Sequence, residues 1–426
     1  MLDRRLIREE PERIRQALRD RGYELDLDAL IELEARRREL LQAVENQRAE
    51  KNSLSQQIAQ ALRAGGEAEP LKQRSLGIGR QLAADEQELS EVEARFERMM
   101  LELPNLPLEE VPVGSSPEDN VVMYHVGEPR KYDFAPQAHW DIGPRLGILD
   151  FEAATRMAGA RFVTSIGAGA TLERALINLM LDTHTRKHGY TEILPPYLGN
   201  ERSLYGTANL PKFENELFKT TDGYYLIPTA EVPLTNLHQD GILEGDRLPL
   251  CYVAYTACFR REAGAAGKDT RGMVRVHQFN KVELMKFVRP GQGSAELEKL
   301  VKNAEAILEA LELPFRRVAL CTGDMGFQPQ QTFDLEVYCP GMDRWLEISS
   351  CSQYGDFQAR RCNTRFRPEP KARPEFVHTM NGSGVACGRT VVAILENYQQ
   401  ENGVVVIPEV LRPYMGGLAE ILPPLP

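Results

Sequence analysis

Three segments of this 426-residue chain set an arginine at the end of a predicted strand or helix with carboxylates close by. The first is FRREAGAAGKDTRGMVRVHQFNKVE, residues 259–283. If two antiparallel strands flank its polar middle, Arg260 and Glu262 share one strand face, and Phe279 and Glu283 share a face of the return strand. An arginine fork suits a phosphate and an aromatic ring suits a base, so one sheet face could seat a nucleotide. In the second, LEISSCSQYGDFQARR (346–361), Glu347 and Ser350 offer oxygen ligands to a hard cation such as Mg2+. The third, NGSGVACGRTVVAILENYQ (381–399), ends a strand and opens an apolar helix. Arg389 stands at that helix start, where amide groups and a guanidinium favour an anion. Singly, each has an ordinary structural reading: a strand ion pair for Arg260 and Glu262, core for Phe279, solvent for Glu347. The combination is what points to chemistry.

Two glycine-rich stretches offer no simpler answer. GAAGKD (264–269) resembles a P-loop, but its glycine spacing is too short and Asp269 replaces the required Ser or Thr. GSGVACG (382–388) spaces its glycines as GxGxxxG, with no βαβ unit around it. Nucleotide handling therefore falls to side chains.

The elements that must position them begin near residue 160. After a helix near 170–188 come YYLIPT, LCYVAYTACFR, VHQFNKVELMKFV, RRVALCT, TFDLEVY, RWLEISS and EFVHTMN, with helices near 231–238, 294–312 and 389–400. Successive β-branched or aromatic runs without regular crossover helices predict an α+β domain: a largely antiparallel sheet with helices on its faces. The first quarter of the chain is different. Leu30, Leu33, Leu40, Val44, Leu54 and Ile58 recur at heptad steps, Gly65, Gly66 and Pro70 break the pattern, and Leu71, Ile78, Leu82, Leu89, Val92, Phe96 and Leu103 resume it. This predicts an antiparallel two-helix coiled coil, each helix roughly 50 Å long. Arg37, Gln47, Lys51, Ser75 and Asp85 fall on its seam. It reads either as a dimerisation coil or as an arm that touches a large partner. Residues 1–110 hold 18 Lys and Arg against 24 Asp and Glu, so nucleic-acid contact would rest on a local cluster such as Arg36, Arg37 and Arg38, which could equally be a solvated face.

Composition narrows the class. Net charge is −11, hydrophobic residues make up 42%, and no apolar run spans a membrane or marks a secretory leader, so the cytoplasm is the expected location. Seven cysteines without a CxxC pair argue against a disulfide framework or zinc ribbon.

The three segments resemble signature motifs of class II aminoacyl-tRNA synthetases, in detail those of the bacterial-type seryl-tRNA synthetase family. Residues 259–283 are similar to its motif 2 and GSGVACGRTVVAILENYQ to its motif 3, while TLERALINLMLDTHTRKHGYTEILPPYL (171–198) matches the dimer-interface motif 1. LIPTAEVPLTN carries the family's TAE serine loop at Thr229, Ala230 and Glu231, and GTANLPKFENELF (206–218) is a further family-like stretch. The resemblance implies residues 1–105 as a tRNA-binding domain with an arm over about 28–103, residues 106–160 as a linker leading in, and residues 161–426 as a catalytic domain on a six- to seven-stranded antiparallel sheet. It implies a homodimer that activates L-serine with ATP and Mg2+, then charges tRNA-Ser and, where present, tRNA-Sec.

Site roles follow from the same resemblance. Arg260 would hold the α-phosphate and the serine carboxylate, with Arg275 and Arg389 on the pyrophosphate end. Glu262 would accept from the adenine amino group and Phe279 would stack on the ring, with Arg261, Val276, Ile348 and Ser349 completing the ATP site. Glu347 and Ser350 would hold the metal. Glu283 and Ser383 would take the serine hydroxyl, with Thr229 and Glu231 near the amino group and Ala230 and Asn381 completing the serine site. No catalytic histidine is required, and His277 reads as structural. Departures are Cys387, where a small aliphatic residue is common, Ser383, where some relatives carry threonine, and a looser TSIGAGATLERAL before motif 1. Two rivals are an enzyme that loads an amino acid onto a carrier protein and a tRNA-binding paralogue without catalysis. The long arm argues against the first, the intact arginines and carboxylates against the second.

Overall fold

The computed structural model describes residues 1–265 and 271–424; residues 266–270, most of the P-loop-like stretch, lie outside the described residues. The chain divides into two compact units, Leu2–Pro104 and Asn105–Pro426 with Met1.

In the first unit two short helices, Arg4–Glu9 and Pro11–Asp20, precede α1 (Leu27–Arg63) and α2 (Glu69–Glu102). Asp26 caps α1 by accepting from the Ala29 amide at 3.0 Å. At ~1.5 Å per residue, the 37 residues of α1 span roughly 55 Å. Gly65 turns the chain at φ 72°, a conformation glycine adopts freely, and Pro70 sits in the first turn of α2, where a missing N–H costs nothing. Leu30, Leu33, Leu40, Val44 and Leu54 are buried with Leu82, Val92, Phe96 and Met100. The polar seam residues answer one another: Gln47 Nε2 donates to Asp85 Oδ2 at 2.6 Å, and Arg37 pairs with Glu34 at 2.8 Å while lying over the Phe96 ring. A polar pair in an apolar seam pins its register. Arg36 is paired with Glu88 at 2.7 Å, and Arg38 is exposed.

The second unit is built on a sheet whose strands are β1 (Val121–Val126), β2 (Thr191–Glu192), β3 (Leu250–Phe259), β4 (Gln278–Val288), β5 (Phe315–Ala319), β6 (Gln331–Cys339), β7 (Arg344–Gly355) and β8 (His378–Ala386). The order is β1-β5-β6-β7-β8-β4-β3-β2. All neighbours are antiparallel except β2 on β3. Among the described residues the expected six to seven strands are thus eight, with one parallel edge pair: β2 is only two residues long, too short to show a period, and β1 comes from residues 106–160, the expected linker.

Helices α3 (Ala168–Arg186), α4 (Glu231–Asn236), α5 (Gly293–Ala310) and α6 (Cys387–Asn397) flank the sheet. On β4, Val282, Leu284 and Val288 join a core with Leu300 and Ile307 of α5 and Val392 and Leu395 of α6. The opposite face of β4 holds Met285 and Phe287 beneath Ala230 and Leu234. Closer packing explains the glycines of the third segment: a Cβ on Gly382 would stand 2.5 Å from Leu300 Cδ2. A Cβ on Gly384 would stand 2.9 Å from His184 Nε2 of α3, so these two glycines serve helix–sheet contact. All seven cysteines are free thiols, six of them buried. Among the described residues no helix is long and apolar enough to cross a membrane.

Candidate active site

The period of two on β4 builds the floor of a cavity. Phe279, Lys281 and Glu283 alternate with the core residues and all three line a hollow of about 350 Å³, within the range of small-molecule sites. Strand β8 adds Ser383, directly opposite Glu283 in register, and Asn381 two residues back. Strand β7 adds Glu347, Ile348 and Ser350. Three residues apart, Glu347 and Ser350 would face opposite sides of a regular strand. They share the cavity because the pairing slips: Leu335 faces Ser349 but Glu336 faces Glu347, leaving Ile348 as the extra residue of a bulge.

The register orders the cavity along the strands. Ala386, opposite Lys281, leads into α6 and Arg389, so Phe279, Glu347 and Arg389 lie toward one end. Glu283, Ser383 and Asn381 lie toward the other, where Thr229 and Glu231 at the start of α4 also line the wall. Arg260, Glu262, Arg275 and Val276 complete the lining. Arg260 and Glu262 do not share a strand face as expected. Strand β3 ends at Phe259, and Glu262 takes φ 50°, a turn that brings its carboxylate inward after the ladder has stopped. The cavity continues into a second hollow of about 440 Å³ that shares Arg260, Glu262 and Arg275 and is bordered by Phe213 and Glu216 of the family-like 206–218 stretch.

Three expected site residues do not line the cavity. Ala230 is fully buried in the apolar cluster under α4. Ser349 turns away from its neighbours on β7 and donates to the Ser383 carbonyl at 2.6 Å. Arg261 is exposed, with its amide on the Glu216 carbonyl at 2.9 Å. Sequence reading missed Lys281, whose Nζ lies 2.5 Å from Glu283 Oε2 with both side chains buried. Its signal was present, since it stands between Phe279 and Glu283 on the same alternating face. Also missed was Asp334, buried beside Glu347 and Ser350 in a smaller hollow, its Oδ1 without a hydrogen-bond partner among the described residues.

The charges shape one another. Arg389 donates to the Glu347 carbonyl at 2.9 Å and lies 3.2 Å from its carboxylate. Burial raises the Glu347 carboxyl, but Arg389 foremost, with Arg260 and Lys281, brings it below the usual range. Burial, reinforced by Glu347, pushes Asp334 well up. At the other end burial, then the neighbouring Glu283, raises Glu231 to about 7, while Lys281, Asn381 and Gln358 oppose the shift. Arg275 pairs with Glu262 at 3.3 Å, and the Arg260 guanidinium lies 5.2 Å from the centre of the Phe279 ring. His277 donates from Nδ1 to the Arg260 carbonyl at 3.0 Å, a structural task. Burial pushes the Cys387 thiol well up, which disfavours the thiolate.

Glu347 and Ser350 fit a hard cation, with the Asp334 carboxylate beside them in the smaller hollow. Among the described residues no group of three or more His, Cys, Asp or Glu could hold a metal. The pair therefore suits an ion whose shell is completed by phosphate oxygens and water, the usual habit of Mg2+.

The chain matches the seryl-tRNA synthetase N-terminal domain over residues 1–107 and the class II core domain shared by the G, H, P, S and T synthetases over residues 212–398. It is 54% identical over 425 residues to the serine–tRNA ligase of Syntrophotalea carbinolica, covering 99% of this chain and 100% of that protein. It is 53% identical over 420 residues to that of Thermodesulfovibrio yellowstonii, covering 98% and 99%. The fold aligns with the seryl-tRNA synthetase of Pyrococcus horikoshii complexed with ATP at a TM-score of 0.94, with 36% identity over 100% of both chains. The cytoplasmic serine–tRNA ligase of Naegleria fowleri in complex with AMP aligns at 0.89, with 29% identity over 99% of this chain and 98% of that one. On sequence, fold and site together, this chain belongs to the seryl-tRNA synthetases of class II.

Proposed function

We propose that both half-reactions of this synthetase, which joins serine to tRNA with ATP as the energy source, take place in the cavity on β4, β7 and β8. In the first, a carboxylate oxygen of serine attacks the α-phosphorus, the bond from that phosphorus to the bridging oxygen breaks, and pyrophosphate leaves. A carboxylate already ionised at neutral pH needs no general base, so positioning and charge neutralisation carry the step. Arg260 holds the α-phosphate and the attacking carboxylate, Glu262 and Phe279 seat the adenine, and Arg275 and Arg389 grip the departing end. Mg2+ on Glu347 and Ser350 would neutralise phosphate charge. In the second half-reaction the terminal ribose hydroxyl of tRNA-Ser, and of tRNA-Sec in a host that has it, takes the seryl group and AMP leaves.

Specificity comes from the other end. Glu283, held on Lys281, accepts from the serine hydroxyl together with Ser383, and Glu231, Thr229 and Asn381 surround the amino group. Alanine leaves those buried groups unpaired, and threonine meets a crowded wall. The observation that carries the reading is the register match of Ser383 with Glu283 on the face that also holds Phe279. Serine-dependent ATP–pyrophosphate exchange tests it: Arg260→Ala should lower exchange by about 10²–10³ and Glu283→Ala should raise the serine KM, and unchanged kinetics in both would remove this cavity from the reaction.

The hairpin α1–α2 serves tRNA capture, and the enzyme works as a homodimer. Leu194 and Leu198, in the motif 1 stretch, are 81% and 48% exposed, apolar surface that a second copy would cover. Sedimentation of the full chain should give twice the chain mass.

A further inference from the structure

Beside the cavity wall, His139 and Glu396 form a fully buried pair, and neither lines the cavity. His139 opens the short helix His139–Arg145, and Glu396 lies near the end of α6. The Glu396 carboxylate gathers four N–H groups. One oxygen accepts from the His139 amide at 3.0 Å and meets its Nδ1 at 2.9 Å. The other accepts from the amides of Gly341 and Met342 at 2.9 and 3.2 Å. A carboxylate so placed only accepts, so Nδ1 carries the hydrogen and Nε2 keeps a bare lone pair. That lone pair receives the Met273 amide N–H at 3.1 Å. The approach is closely built: Gly272 takes φ 72°, and a Cβ there would collide with the imidazole.

Met273 and Val274 line the cavity, Arg275 follows, and the Val274 carbonyl accepts from Arg389 Nε at 3.3 Å. A continuous set of bonds thus runs from Glu396 through His139 to the stretch bearing Arg275 and touching Arg389. We propose that His139, oriented by Glu396, is a positioning residue for ATP: it holds residues 273–275 in place and so presents Arg275 and Arg389 to the phosphates. Ordering that wall before ATP arrives removes an entropic cost from binding. The proposal rests on reading this end of the cavity as the nucleotide end.

Two substitutions separate positioning from mere packing. His139→Gln carries an amide oxygen to about where Nε2 stands, while His139→Asn keeps a donor toward Glu396 but falls short of Met273. In pyrophosphate exchange His139→Asn should raise the ATP KM about tenfold, the equivalent of one lost buried hydrogen bond, with the serine KM within about twofold. His139→Gln should restore the ATP KM, and hydrogen exchange at the Met273 amide of the full chain should be slow in wild type and in His139→Gln and fast in His139→Asn. Should His139→Asn fail to fold, Gly272→Ala presses on Nε2 from the loop side and should raise the ATP KM likewise. Equal loss of kcat and melting temperature in both histidine variants with an unmoved ATP KM, or a fast-exchanging Met273 amide in wild type, would overturn the proposal. An Arg275→Ala variant with an unchanged ATP KM would overturn it differently, by showing that this is not the nucleotide end even where Met273 stays protected.

Discussion

Along the hairpin, charged side chains answer one another on the surface: Arg36 reaches Glu88 at 2.7 Å, Arg48 reaches Glu86 at 2.6 Å and Arg74 reaches Glu50 at 2.5 Å. In the catalytic unit Arg260, Arg275, Lys281 and Arg389 share the walls of one cavity with Glu231, Glu262, Glu283 and Glu347. The exposed pairs are screened by solvent and add little stability. The convergent charges are costly to desolvate, a cost that the proposed binding of a charged substrate would offset. Both regions pair their charges, but the hairpin pairs lie on the surface, whereas Lys281–Glu283, Arg275–Glu262 and Arg389–Glu347 converge around one hollow.

The contrast breaks most sharply if the cavity arginines are removed. Arg260→Ala or Arg389→Ala should lower kcat/KM in ATP–pyrophosphate exchange by about 10²–10³, the loss typical of one transition-state donor. Surface pairs tolerate the same change: Arg48→Ala should leave exchange unaltered. Deleting residues 30–100 should do the reverse. Exchange persists, while tRNA charging falls about 100-fold or more, corresponding to ~3 kcal/mol of lost tRNA binding. Charging that survives the deletion would deny the arm its role. Next in size, Glu283→Ala should raise the serine KM about tenfold and weaken rejection of alanine.

Proton binding sharpens the comparison further. On the proposed reading Glu231, raised to about 7, would take the serine ammonium only when ionised, so kcat/KM for serine should rise with pH and level off above about 7. The folded pKa exceeds the model-peptide value of 4.5, so the folded state binds more protons between the two, and stability of the unliganded enzyme falls as pH rises through that window. Glu231→Gln should flatten the serine profile and raise the melting temperature at pH 8. The smallest effect belongs to the hairpin: replacing Gln47 and Asp85 together by Leu should shift its stability by about 1 kcal/mol or less, because both partners go at once.

Legibility in the sequence differed between the regions for a physical reason. The hairpin seam declares itself by period, and even its polar exceptions, Gln47 and Asp85, fall opposite each other. Strands β3 to β8 and their helices are visible as β-branched runs and apolar faces, and the alternation Phe279, Lys281, Glu283 already contains the cavity floor. What no local pattern shows is where the pattern fails. The bulge at Ile348 alone lets Glu347 and Ser350 share a face and turns Ser349 away. The left-handed turn at Glu262 and the two-residue parallel strand β2 are equally silent. The motif resemblance supplied residue types, and backbone irregularities decided which of them reach the cavity.

The most direct measurement is calorimetric titration of the full chain with a non-hydrolysable seryl-adenylate analogue. One saturable site per chain should appear, weakened about tenfold or more by Arg260→Ala and by Glu283→Ala, at ~1.4 kcal/mol per decade, and untouched by Arg48→Ala. Binding of wild-type strength in both cavity variants would contradict the account.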